Sequence, residues 1–130
     1  MFSGIAAILL ATIVSFFMGG VWFMLLFKKP FMAAMGRTEA SHGMFYLIGP
    51  SLCNLVSIAT SLFLMRKFDI NNLADIITFS LIIGVGYIGA TIVNAGINPN
   101  MKSPMMYGVI CAPYFILSTV ISNVILFYVA

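Results

Sequence analysis

From Ser3 to Phe27 the chain carries no charged side chain, and three later stretches are similarly apolar, with Asp75 near the start of one of them their only charge. The four apolar runs cover about 4–27, 44–65, 73–97 and 105–129. A helix rises about 1.5 Å per residue, so roughly 20 apolar residues cross a hydrocarbon core of about 30 Å. In lipid every backbone polar group must be paired within its own segment, and runs of this length achieve that as helices. Alternating strands of about ten residues, the mark of a membrane barrel, are absent. The expected fold is all-α: an integral membrane four-helix transmembrane bundle, residues 1–130 forming one domain.

Composition names the solvent. Of the residues 62% are hydrophobic and 7% charged, against about 25% charged in a soluble domain. Such a chain cannot wet its own surface, and the lipid bilayer is its expected partner. A net charge of +3 would suggest nucleic acid if it formed a patch on a water-facing fold. Here the basic residues fall between the apolar runs: Lys28, Lys29 and Arg37, then Arg66 and Lys67, then Lys102. That is the pattern of connections facing headgroups, and no nucleic acid is expected. The first and third connections are the more basic, which places them in the cytoplasm and both termini outside. The margin is thin, and a dual-topology protein would show the same. No basic segment precedes the first run, which is too long for a signal core, so it reads as a retained span. Cys53 and Cys111 lie inside runs and read as small apolar residues.

The connections carry helix punctuation. Lys28 and Lys29 before Pro30 close the first helix, and Ser41 is a candidate N-cap for the second. Asn72 with Asp75 three residues on resembles a capping box, and Ser103 before Pro104 reads as an N-cap with proline at the first helical position. Asn98 precedes a proline, so the third helix should end there, with Asn100 in a short turn. Two segments, "MFYLIGPSLCNLVSIATSLFL" and "MMYGVICAPYFILSTVISNVIL", both open on Met and aromatic residues and reach a proline early. They hint at a duplicated helical hairpin, and chance similarity between apolar runs is the competing explanation.

Polar residues inside spans should face protein or water, because an unpaired amide in hydrocarbon is costly. At helical spacing Gly84, Tyr87, Thr91, Asn94 and Asn98 share one face of the third run. Pro50, Asn54, Ser57 and Ser61 share a face of the second. Cys111, Tyr114, Ser118 and Ser122 form a stripe on the fourth, with Thr119 and Asn123 beside it. The first run offers the small-residue ladder Ala7, Ala11, Ser15, Gly19, and Gly86 with Ala90 reads as a close-packing notch. Two readings stand: interhelical glue, or a solute path lined by Asn54, Tyr87, Thr91, Asn94, Tyr114 and Ser118. Asn94 is the residue singled out, as lying inside the span with no cap to explain it. Trp22, Phe23, Tyr46, Tyr107 and Tyr128 lie near run ends, where an aromatic belt accounts for them.

Several chemistries find no support. "GVGYIG", residues 84 to 89, matches a dinucleotide fingerprint in letters only, since it follows no strand. No titratable carboxylate, amine or imidazole lies in the middle of a run, which argues against proton-coupled export. His42 stands alone, so no metal site is expected, nor any cofactor. No nucleophile–base pair stands out, and an enzyme is not expected.

The stretch Gly19, Gly20, Trp22, Phe23, Leu26, Phe27, Lys28 resembles the opening of a bacterial family of four-span membrane proteins catalogued as domain of unknown function 1761. Asn94, Lys102 and Tyr114 fit that family's second region. "NPNMK" lacks the acidic residue the family often has there, and Phe23 stands where tyrosine is commoner. The resemblance implies the four-span fold and a bacterial inner membrane, and it implies no activity. The residues themselves leave two functions open: a homo-oligomeric pore or facilitator for a small solute, with the helix-one ladder as subunit contact, or an accessory subunit packed onto a larger membrane complex. Thr119 and Asn123, offset from the main stripe, would suit the second.

Overall fold

A computed structural model describes residues 2–39 and 42–130. Its helices are α1 (Phe2–Gly20), α2 (Lys28–Met35), α3 (Phe45–Lys67), α4 (Leu73–Ile83), α5 (Ala90–Gly96) and α6 (Pro104–Val129). A π-helical stretch, Val21–Leu26, prolongs α1, and a second, Gly84–Gly89, joins α4 to α5 without a break. Among the described residues four helical rods are long and apolar enough to cross a membrane: Ser3–Leu26, Phe45–Lys67, Leu73–Gly96 and Pro104–Val129. The protein is all-helical and multi-pass, with a lipid bilayer as its environment. Each rod ends within two residues of its expected bound.

The helix ends obey local chemistry. At the start of α4 the Asn72 side chain accepts from the Asp75 N–H at 2.9 Å, as the capping pattern predicts. Pro104 opens α6, but the Ser103 hydroxyl caps nothing; its N–H donates instead to the Ala34 carbonyl at 2.9 Å. That bond ties the third connection to α2, a helix the sequence reading did not foresee. Gly36 ends α2 at φ 72°, and a Cβ there would meet Lys102 at 3.3 Å. Ser41 lies outside the described residues; α3 itself starts after Met44 with no side-chain cap. Asn98 donates to the Ala95 carbonyl at 2.7 Å and accepts from the Asn100 N–H at 2.9 Å, closing the end of the third rod as a turn.

The fourth rod is the axis of the bundle. Of its most apolar window 44% is buried, against 11% for the second rod. The first rod packs on α6 and α3, and the third rod packs along the other side of α6. At the end holding both termini, Ala7, Ala11, Ile58, Leu62, Met65, Ile76 and Leu126 form the core. Ala7 and Ala11 are fully buried, because side chains this small let α1 approach its neighbours closely. The ladder is consumed inside the chain, so it is not the contact between copies that the sequence suggested. The hairpins also echo one another. The first and third rods each contain a π-helical stretch, and the second and fourth each contain a proline, Pro50 and Pro113.

Candidate functional site

Hydroxyl groups gather where α1 crosses α6. Ser118 donates to the Ser15 hydroxyl at 3.1 Å, Ser15 and Ser122 share a hydrogen bond at 3.0 Å, and the Tyr114 hydroxyl donates to the Ser15 carbonyl at 2.9 Å. All four residues are buried. Tyr114, Ser118 and Ser122 repeat every fourth residue, so their side chains line up on one face of α6. Gly19 leaves room for the tyrosine, since a Cβ there would sit 2.8 Å from its hydroxyl. Asn54, half-buried on α3, approaches the same hydroxyl. The structure thus brings together Asn54, Tyr114, Ser118 and Ser15. The hydroxyls touch directly at this level, and Tyr114, Ser118 and Ser122 of α6 hydrogen-bond across to Ser15 of α1, while Asn54 only approaches.

Aromatic rings close the bundle beside Tyr114. Trp22 donates its indole N–H to the Ile110 carbonyl at 3.0 Å, three residues before Pro113 in α6. Its ring lies 4.8 Å from Phe27 and 6.1 Å from Tyr114, while Phe23 lies 4.9 Å from Tyr114 and 4.8 Å from Phe31. Tyr107 rests on Gly96, where a Cβ would come within 2.5 Å of its ring. Trp22, Phe23 and Tyr107 therefore pack between helices, a correction to their reading as a belt. Tyr46 and Tyr128 remain exposed. Of the stretch Gly19, Gly20, Trp22, Phe27, Lys28, Gly19 and Trp22 meet α6 and the Phe27 N–H bonds the Trp22 C=O at 2.9 Å in the π pattern, while Gly20 and Lys28 are exposed.

The third rod departs most from expectation. Ile76, Ser80 and Gly84 are buried on α6 at four-residue spacing, but the next buried residue is Gly89, five further on, followed by Gly96. A π-helical stretch inserts an extra residue, and one added residue rotates the remainder of the helix by about 100°. The face that begins at Gly84 therefore swings outward. Tyr87 is 73% exposed, and Thr91, Asn94, Gly86 and Ala90 are exposed with it. These residues do not line the bundle interior, and Gly86 with Ala90 is no notch within the chain: a Cβ on Gly86 would meet nothing. Within the π-helical stretch the glycines that pack are Gly84 and Gly89, both against Ile116. Thr91 donates to the Tyr87 carbonyl at 2.7 Å. The Asn94 amide has no hydrogen-bond partner among the described residues and stands two residues before the helix end at Gly96, in the last turn rather than deep in the span. Tyr87 is close to the middle of its 24-residue rod.

Two more polar positions move. Asn123, expected near the outside, is buried and donates to the Ser80 hydroxyl at 2.9 Å, and Ser80 donates on to the Ile76 carbonyl. Its Oδ1 accepts no bond among the described residues. Thr119, half-buried, bonds its own helix at the Phe115 carbonyl. Ser57 is exposed and Ser61 half-buried on α3. Ser80 was missed by the sequence reading because a lone serine in an apolar run gave no stripe to join.

Comparison with curated proteins finds no match. Comparison with solved structures finds none either. Residues 6–127 match the family described as "Protein of unknown function (DUF1761)". That match covers nearly the whole chain, including the α1–α6 contact and the outward face of the third rod, and the chain belongs to this family.

Proposed function

We propose that the protein is a homo-oligomeric facilitator for a small neutral solute, with its path between copies rather than through one chain. The observation that carries this reading is the exposed column Tyr87, Thr91, Asn94, which runs from the end of the third rod to near its middle. A phenol and an amide facing hydrocarbon without partners are costly, and a second copy or water beside it would satisfy them. Gly86 and Ala90 on the same exposed surface would let another helix approach closely. Toward the other end the outward face continues through exposed Val85, Ile82 and Leu81, which would exclude ions and favour neutral solutes. The reading is non-enzymatic. Helical spans fit a bacterial inner membrane, since outer-membrane proteins span as barrels.

The test is mass in native nanodiscs combined with flux. Wild type should run at a small multiple of 14.2 kDa and speed urea or glycerol entry into proteoliposomes, and Tyr87→Leu with Asn94→Leu should lose both. A monomer with lipid-baseline flux would overturn the proposal. Fixed-ratio co-purification with a larger membrane protein would replace it with the accessory reading, the same column then meeting that partner.

A further inference from the structure

Away from that column, Arg66 and Lys67 stand together in the last turn of α3 and are exposed. Below them Ala59, Leu62 and Phe63 line an open groove of about 410 Å³ whose other walls are these two cations. A second groove of about 320 Å³, lined by Asp69, Asn71 and Phe127 among others, begins on the other side of Arg66. The guanidinium lies over α1, where Gly4 makes room: a Cβ there would sit 3.0 Å from Arg66 Nη2. It makes no hydrogen bond or ion pair among the described residues, Asp69 included. A planar fork of donors is therefore held at the level of the headgroups with its bonding capacity unused.

We propose that this site binds one anionic phospholipid, its phosphate on Arg66 and Lys67 and an acyl chain in the groove over Ala59, Leu62 and Phe63. Countering the helix dipole accounts for cations at a helix end. It does not account for a guanidinium braced against a neighbouring helix at the head of an apolar groove. The arrangement has the polarity of an amphiphile. Free phosphate would satisfy the cations and leave the groove unfilled, whereas a phospholipid answers both. The acid-free groove is the one assigned, because Asp69 would repel a phosphate in the other.

Native mass spectrometry of the detergent-purified full chain, titrated with phosphatidylglycerol, phosphatidylcholine or inorganic phosphate, tests this. One phosphatidylglycerol should bind in preference to phosphatidylcholine, and inorganic phosphate should not displace it. Arg66→Gln with Lys67→Gln should weaken binding about ten- to thirty-fold, from the typical contribution of a basic residue near an anionic lipid. Lys28→Gln with Lys29→Gln, at the opposite end, should not. Ala59→Leu, which fills the groove and spares the cations, should also weaken lipid binding, and it carries the test should the double variant fail to fold. Equal binding of both lipids, displacement by inorganic phosphate, or loss from the Lys28 and Lys29 variant alone would overturn the proposal.

Discussion

Gly84 and Gly89 press on the same residue, Ile116 of α6, from positions five apart on one helix. A Cβ on Gly84 would lie 3.4 Å from the Ile116 Cα, and one on Gly89 would lie 3.4 Å from its Cδ1. Residues five apart share a face only where the helix carries an extra residue, so the π-helical stretch and the glycine pair imply one another. This relationship decides which side of the third rod faces outward.

Gly89→Ala should therefore destabilise the fold. Its Cβ would also meet the Gly84 carbonyl oxygen at 2.9 Å, and backbone cannot swing aside. Overpacking of this kind costs about 1–3 kcal/mol. Gly86→Ala, three residues earlier and facing open space, should not destabilise, and helix propensity would favour it by up to about 1 kcal/mol. Unfolding in mixed micelles with rising dodecyl sulfate compares the two, and equal losses would contradict the assignment of the packed glycines.

Ser15→Ala removes the partner shared by Ser118 and Ser122. Interhelical hydrogen bonds in membranes contribute about 0.6 kcal/mol each, so a loss of roughly 1 kcal/mol is expected. Ser57→Ala on the exposed face of α3 should be neutral in the same titration.

Trp22→Phe keeps a ring in the aromatic cluster and deletes the bond to the Ile110 carbonyl. A loss of about 0.5–1.5 kcal/mol is expected, and Trp22→Ala should lose more because the contacts with Phe27 and Tyr114 go as well. If the two variants unfold alike, the ring packing contributes nothing.

Asn123→Leu should be close to neutral. It gives up one bond to Ser80, yet Ser80 keeps its own bond to the Ile76 carbonyl, and the unpartnered Oδ1 disappears. A loss well above about 1 kcal/mol would mean that Oδ1 has a partner such as buried water.

The four rods, the Asn72 cap and the turn at Asn98 were legible because span length and end chemistry are local properties. The Tyr114, Ser118, Ser122 stripe was legible for a related reason: α6 keeps its four-residue spacing across Pro113, so a regular projection put these side chains on one face. The same projection failed past Gly84, where one extra residue turned Tyr87, Thr91 and Asn94 outward. "GVGYIG" could have warned of this, since three glycines in six residues relax the helix. The ladder Ala7, Ala11, Ser15 was legible as a packing face, but nothing local says whether the partner is the same chain or another copy. Trp22 went to a belt because its acceptor, Ile110, lies 88 residues away.

If copies meet on the outward face of the third rod, cysteines placed there should cross-link in native membranes. In a Cys53→Ser background, which removes the exposed native thiol, single cysteines would be placed as Tyr87→Cys, Asn94→Cys and, on the exposed face of α3, Val56→Cys. Mild oxidation should give a dimer band from the first two and little from the third. Cross-linking from Val56→Cys alone, or equally from all three, would mean that copies do not meet on this face.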